Sequence, residues 1–131
     1  MKKSKSLPGI NIQYPISRLI VEGEKTVETR TYPIPDHYIG KEMVLIETPG
    51  SDNAFAARAI AVIIFEPSFK YASKAAFYAD TKRHRVTPSS PWKWQPGKIK
   101  WGWPVKVVRV FSQPVTIQTP KGIRFTKEVR L

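Results

Sequence analysis

The chain has 131 residues, enough for one domain with an apolar core, and its 22 Lys and Arg against 10 Asp and Glu give a formal charge of +12. Such a positive field favours polyanions, nucleic acid before acidic membrane surfaces, although a charged surface also serves solubility. The absence of cysteine excludes disulfides and thiolate sites, and two histidines are too few for a histidine-built zinc site, so we expect no metal and no cofactor.

The sequence carries no signal for a membrane or for export. No apolar run approaches the roughly 20 residues of a membrane-spanning helix. Residues 1–8 are basic but lack the apolar stretch of a secretory signal, and they predict a flexible tail. We therefore expect residues 9–131 to form a single domain in a cytoplasmic protein without a membrane partner. The oligomeric state is left open.

Short elements separated by turn residues dominate the first half of the chain. Residues 10–13 alternate weakly as a first strand, and the apolar spacing over 15–22 predicts a short helix ended by an αL cap at Gly23. A compact apolar strand is predicted at 43–46. The longest apolar run, 55–65, is rich in Ile and Val and predicts a central strand.

The second half predicts one helix followed by strands. A helix is expected over 73–83, with Ser73 as its cap. Residues 99–111 alternate as a strand, and shorter strands are predicted at 115–117 and 123–125. About six strands, two or three helices and no βαβ rhythm predict an α+β fold, a small mixed β-barrel with helices in its connections.

The stretch 23–30, between the first helix and the first convincing strand, holds too many charges for an ordinary core strand. It is either a solvated edge or the lining of a polar cleft in which the charges pair and meet a ligand. Strand alternation places Lys25 on the face opposite Glu28 and Arg30. A single site therefore requires a bend after Gly23 or a bulge.

All four tryptophans lie between residues 92 and 103, within a basic segment. Aromatic faces interleaved with cations are typical of single-stranded nucleic-acid binding, because bases stack on the rings and phosphates pair with the cations. Alternatively, Trp101 and Trp103 belong to a core strand, which leaves Trp92 and Trp94 as the exposed pair. The residues predicted to contact nucleic acid here are Arg83, Arg85, Trp92, Trp94, Lys100, Trp101 and Trp103.

Asp80 and His84 are four residues apart in the predicted helix and can meet on one face. As a functional pair they would perform acid–base chemistry on a ribose 2′-hydroxyl or a phosphate. As a structural pair they would be an exposed ion pair at the helix end, where a cation is favoured. His37 lies in a Pro-rich loop and is predicted to be a surface residue.

Residues 19–30 resemble the signature of the ASCH domain family, a member of the PUA-like superfamily. That signature is an apolar helix followed by Gly-x-Lys-Thr-apolar-Glu-x-Arg, and the match is close. Residues 100–105, 113–115 and 121–125 resemble the C-terminal half of the same family. The resemblance therefore spans most of residues 10–126.

The resemblance implies a small β-barrel with a cleft between barrel and helices, and it implies binding of RNA or a nucleotide-like ligand there. The candidate ligand-binding residues of the cleft are Lys25, Thr26, Glu28 and Arg30. Lysine in a partly buried cleft shifts toward its neutral form, and arginine offers a planar fork to a phosphate.

Some ASCH proteins look like small enzymes, a deacylase of N4-acetylcytidine or a metal-independent ribonuclease. For such a hydrolase the catalytic candidates are Lys25, Glu28 and Asp80. The deacylating group carries a hydroxyl residue where this chain has Glu28, which favours recognition over catalysis by a threonine nucleophile. A third hypothesis is a protein-interaction module in transcriptional regulation, for which exposed tryptophans are suited.

Overall fold

A computed structural model describes residues 6–49, 56–118 and 124–130, and more of these residues belong to β-strands than to helices. The strands are β1 (Ser6–Gln13), β2 (Val27–Arg30), β3 (Glu42–Thr48), β4 (Arg58–Phe65), β5 (Phe69–Lys70), β6 (Trp101–Thr116) and β7 (Phe125–Arg130). The helices are α1 (Ile16–Val21), α2 (Lys74–Ala79), α3 (Thr81–His84) and a 3-10 turn (Asp36–Tyr38). None of these helices has the length and apolar character needed to cross a membrane.

The strands form one sheet in the order β2-β6-β4-β3-β1-β7, with β5 also paired to β6. Among the named strands of the described residues, β1 and β3 run parallel and the other pairs are antiparallel. This part of the chain is mostly β-sheet, with seven strands and three short α-helices, in agreement with the predicted mixture of strands and helices. The barrel is not confirmed: β2 and β7 end the sheet without pairing to each other, so within the described ranges the sheet is open.

Two predicted elements have different bounds in the structure. Strand β1 begins at Ser6, so residues 6–8 pair in the sheet instead of joining the predicted tail, of which residues 1–5 lie outside the described ranges. The helix predicted over 73–83 is divided at Asp80 into α2 and α3. Its cap is as expected, since Ser73 Oγ accepts from the backbone N–H of Ala76 at 3.0 Å.

Strand β6 combines the two strands predicted at 99–111 and 115–117. Its first residues pair with β2 and β5 and its later ones with β4, so one long strand serves three neighbours. Burial along β6 ends at Val105, and Val107 is 37% exposed. Residue 55 of the predicted central strand and residue 123 of the last one lie outside the described ranges.

The main apolar core packs one face of the sheet against α1. Its buried members include Ile10, Ile20, Met43, Leu45, Ile63, Phe65 and Trp103. A smaller cluster with Val44 and Ile46 covers the other face, as strand alternation requires. A third cluster, Tyr71, Phe77 and Val86, packs the segment that contains α2 and α3. Together these clusters fix the positions of β2 and of the end of α3.

A buried carboxylate ties α1 to the sheet. Glu47 is fully buried, and its Oε2 accepts from Ser17 Oγ at 2.7 Å. Arg18 Nε lies 2.8 Å from Oε2, and Arg58 Nη2 lies 2.8 Å from Oε1. Burial raises the pKa of Glu47, but the hydrogen bonds from Ser17, Arg58 and Arg18 outweigh it and hold the pKa below its usual value.

We expect Glu47→Gln to lower the free energy of unfolding by about 2–3 kcal/mol, because two arginines lose the charge that they pair with. Urea unfolding followed by circular dichroism measures this difference. Glu22→Gln, at the exposed end of α1, is the matched control and should change stability by less than about 0.5 kcal/mol. Equal effects of the two substitutions would contradict the role given to Glu47.

Candidate functional site

Lys25 and Arg30 converge on the carboxylate of Glu28. Glu28 Oε1 lies 3.5 Å from Lys25 Nζ, and Oε2 lies 3.2 Å from Arg30 Nη2. Oε1 also accepts from the backbone N–H of Thr29 at 3.1 Å. The three charged side chains are only 3%, 8% and 16% exposed for Lys25, Glu28 and Arg30. The stretch is therefore a buried charge cluster and not a solvated edge.

Strand alternation fails at Lys25 because β2 begins only at Val27. Gly23 has a φ of 80°, the left-handed conformation that ends α1 and that glycine adopts without strain. The backbone N–H groups of Glu24 and Lys25 both donate to the carbonyl of Leu19 at 2.9 Å. This bend after Gly23 directs the side chain of Lys25 toward Glu28. A single site requires such a bend, because strand alternation alone would place Lys25 on the opposite face.

The ammonium of Lys25 joins the cluster to the end of α3. Its Nζ donates to the backbone carbonyl of His84 at 2.5 Å, and the N–H of Thr26 donates to the carbonyl of Arg83 at 2.9 Å. Cations are favoured at the last carbonyls of a helix. Burial lowers the pKa of Lys25, and the neighbouring Glu28 carboxylate offsets only part of this.

Glu28 and Arg30 keep their charges despite burial. Burial raises the pKa of Glu28, but the positive charges of Lys25 and Arg30 outweigh it and leave the pKa below its usual value. Burial lowers the pKa of Arg30, and the Glu28 carboxylate more than compensates. The centre of the cluster is therefore a carboxylate between two basic groups, Lys25 and Arg30.

Lys100 is the fourth member of the charge cluster, which we define as Lys25, Glu28, Arg30 and Lys100. It is 7% exposed, and its ammonium donates to no group in the part of the chain that the structure describes. Burial lowers its pKa, the charge of Lys98 lowers it further, and Glu28 raises it. Glu28 thus interacts with three basic groups, with Lys25 and Arg30 in contact and with Lys100 at longer range. Within the described ranges no group of His, Asp and Glu is placed to hold a metal ion.

Asp80 and His84 do not form the predicted pair. The Asp80 carboxylate accepts from Arg83 Nε at 2.6 Å and from Arg83 Nη2 at 2.8 Å. It also accepts from the hydroxyl of Tyr71 at 2.5 Å, which helps to lower its pKa although burial raises it. The Asp80 carboxylate thus pairs with Arg83, while the ring of His84 contacts Phe77 and Val86 instead. Asp80 therefore serves contacts outside the charge cluster.

His84 is a buried core histidine and not part of an exposed ion pair. Its Nε2 lies 2.6 Å from the carbonyl of Phe77, and its Nδ1 accepts from the N–H of Val86 at 2.9 Å. A carbonyl only accepts and an N–H only donates, so the ring is neutral with its proton on Nε2. The ring also stacks on Phe77, with 4.2 Å between centroids. These contacts fix the His84 carbonyl that Lys25 binds.

The four tryptophans have different environments. Trp103 is fully buried and packs edge-on against Phe65 at 5.4 Å, so it is a core residue and offers no face to a base. Trp101 is half-buried against the main core. Trp94 packs against the α2 cluster, and Trp92 is 41% exposed. Of the predicted exposed pair, Trp92 is exposed and Trp94 is half-buried.

Arg83, Arg85 and Thr26 lie at the border of the charge cluster. Arg85 is exposed, and its Nε donates to the carbonyl of Glu24 at 2.9 Å. Arg83 is held by Asp80, while the side chain of Thr26 is exposed. The loop that contains Lys25 thus has basic side chains beside it.

Sequence reasoning missed two residues next to Arg30. The carbonyl of Asn11 in β1 accepts from Arg30 Nη2 at 3.4 Å. Tyr32 follows Arg30 by two residues, and its carbonyl accepts from the indole N–H of Trp103 at 3.0 Å. Strand alternation could have placed Tyr32 on the side of Arg30, whereas the contact with Asn11 depends on tertiary packing alone.

We expect stability to fall as the pH drops from about 7.5 to about 5.5. Burial lowers the pKa of His84 in the folded protein, so below about 6.5 the unfolded chain binds a proton that the folded chain does not. Urea unfolding midpoints measured across this pH range give the slope of stability against pH. His84→Gln should be less stable at pH 7.5 but lose most of the slope.

His37→Gln is the matched control, because His37 is the other histidine and is exposed. This variant should keep the slope of the unchanged protein. A slope that survives His84→Gln in full would contradict the buried neutral state of His84.

Comparisons with known proteins identify the fold. No protein-family model and no curated protein matches the sequence. Solved structures do match: the crystal structure of ASCH from Zymomonas mobilis has a TM-score of 0.68 at 14% identity, covering 92% of this chain and 85% of that one. A point mutant of the same Zymomonas mobilis protein has a TM-score of 0.67 at 14% identity, over 92% and 86%. The chain therefore has the fold of the ASCH domain.

Proposed function

We propose that the protein binds RNA or a nucleotide-like ligand at the charge cluster. The observation that carries this proposal is the imbalance of three basic groups, largely removed from water, around one carboxylate. Buried charge without a partner is unfavourable, and a phosphate supplies the missing negative charge. The formal charge of +12 attracts a polyanion to the molecule as a whole.

The residues of the cluster have distinct parts in this proposal. Arg30 presents a planar fork to a phosphate, and Lys100 presents an ammonium that has no protein partner in the described residues. Glu28 holds Lys25 and Arg30 in position. Trp92 offers an open ring for base stacking. The ASCH fold supports the proposal, since resemblance to that family implies RNA binding.

We expect Lys100→Met to weaken binding of a single-stranded RNA several-fold at about 0.15 M salt. The slope of log affinity against log salt should also fall by about 0.7, because one phosphate contact is lost. Fluorescence anisotropy at several salt concentrations measures both quantities. Methionine keeps the apolar stem of the lysine, so the fold should be retained.

Lys41→Met is the matched control, because Lys41 is an exposed lysine in the turn before β3. It removes the same charge and should change the affinity by much less. Equal losses in the two variants would mean that only the overall charge attracts RNA. A protein that binds no RNA even at low salt would contradict the proposal itself.

A second candidate function is a small RNA-processing enzyme, either a metal-independent ribonuclease or a deacylase of nucleosides such as N4-acetylcytidine. The observation in its favour is Lys25, whose pKa is lowered by burial and whose Nζ lies 3.5 Å from Glu28. An amine and a carboxylate in this arrangement can exchange a proton with a substrate. The exposed Thr26 hydroxyl lies next to them in the chain.

Glu28→Gln separates the two candidates. A binding site should change its affinity for RNA by less than about 10-fold, because the loss of the group that positions Lys25 and Arg30 and the loss of one negative charge act in opposite directions. An enzyme that uses Glu28 as acid or base should lose turnover by about 100-fold or more. Labelled RNA and N4-acetylcytidine, each incubated with and without a chelator, measure turnover. No product from the unchanged protein on either substrate would exclude the hydrolase hypothesis for these substrates.

A further inference from the structure

The hydroxyl of Tyr32 is buried but has no hydrogen-bond partner, a state shared by no other buried side-chain polar atom in the described ranges. Leaving such a group unsatisfied is costly, so native structures rarely do it without a reason. The ring of Tyr32 is held by packing: it lies edge-on to Trp103, with 5.5 Å between centroids. The hydroxyl is therefore not needed to position the ring.

Arg30 also has donors to spare. Its Nη2 group makes both of its hydrogen bonds, to Glu28 Oε2 at 3.2 Å and to the Asn11 carbonyl at 3.4 Å. Its Nε and Nη1 groups donate to no residue that the structure describes. The guanidinium carbon lies 5.6 Å from the centre of the Trp103 ring, which limits where the planar group can move.

A second guanidinium lies beside Tyr32. The guanidinium carbon of Arg124 is 5.1 Å from the centre of the Tyr32 ring, and Arg124 is exposed. Burial lowers the pKa of Arg30, while the Glu28 carboxylate and then Tyr32 raise it, so the Tyr32 oxygen lies near the guanidinium although beyond hydrogen-bond distance of it. Tyr32 and the two guanidinium groups beside it thus offer hydrogen-bond donors, and a group rich in acceptors would satisfy them.

We propose that the Tyr32 hydroxyl, the free donors of Arg30 and the guanidinium of Arg124 form a subsite for an oxyanion, the phosphate group of the bound ligand. A phosphate has several acceptor oxygens, accepts two parallel hydrogen bonds from arginine and carries the negative charge that the cluster lacks. This inference rests on the proposed function, because it names the part of the RNA or nucleotide that Arg30 binds. The same chemistry suits an internal phosphodiester or a terminal phosphate.

Tyr32→Phe tests the subsite, because it removes the hydroxyl and keeps the ring. Since the hydroxyl has no partner in the free protein, stability should stay the same or rise. Affinity for the phosphate-bearing ligand should instead fall by about 10-fold, the effect of one hydrogen bond to a charged group. An unchanged or higher stability together with a lower affinity distinguishes Tyr32 from a tyrosine whose role is only structural.

Three probes identify the source of the phosphate: a single-stranded RNA without terminal phosphates, a nucleoside 5′-monophosphate and the nucleoside alone. A loss for the RNA assigns the subsite to an internal phosphodiester, and a loss for the monophosphate alone assigns it to a terminal phosphate. Tyr38→Phe is the matched control, as Tyr38 is only partly buried and packs its ring on Phe125 at 4.8 Å. It should leave all three affinities unchanged.

Equal affinity of Tyr32→Phe and the unchanged protein for both phosphate-bearing probes would overturn the inference while leaving RNA binding in place. A clear loss of stability in Tyr32→Phe would also overturn it, since the hydroxyl would then be bonded within the protein. If the unchanged protein binds none of the probes, the proposed function fails first. Titration with inorganic phosphate, followed through the Arg30 Nε–H signal, then decides the subsite, and no shift of that signal would overturn it.

Discussion

The buried carboxylate of Glu28 is the interaction on which the site depends. It holds Lys25 at 3.5 Å and Arg30 at 3.2 Å, and Lys25 in turn binds the His84 carbonyl at the end of α3. One negative charge thus connects the loop after α1, strand β2 and the α2–α3 segment. Removing it would leave two buried cations facing each other, which is far less favourable than losing a surface pair.

The two buried glutamates differ in the solvation of their partners. Glu47 and Glu28 are each bound by two basic side chains, so the ratio of basic groups to carboxylates is the same at both sites. The partners of Glu47, Arg18 and Arg58, are 35% and 31% exposed, and water stabilises their excess charge. Lys25 and Arg30 are 3% and 16% exposed, and Lys100 adds a further basic group. This difference in access to water is why the ligand is proposed at Glu28, while Glu47 is a structural tie.

Much of the fold followed from local patterns. The helix over 15–22, the αL glycine at position 23 and the cap at Ser73 appear in the structure because spacing and backbone sterics determine them locally. The break at Asp80 and the continuity of β6 could not be predicted. The break at Asp80 accompanies the burial of the His84 ring, and the continuity of β6 depends on the strands that pair with its two ends. Both features depend on tertiary contacts.

The residue types of the site and their order can be read from the amino-acid sequence: a lysine, a glutamate and an arginine within six residues after a helix-ending glycine. The positive charge that favours a polyanion can be read from it as well. That the three side chains meet, that Trp103 is core and that the Tyr32 hydroxyl has no partner among the described residues follow from the tertiary structure. Side-chain burial and contacts between distant segments arise from packing, and no local pattern encodes them.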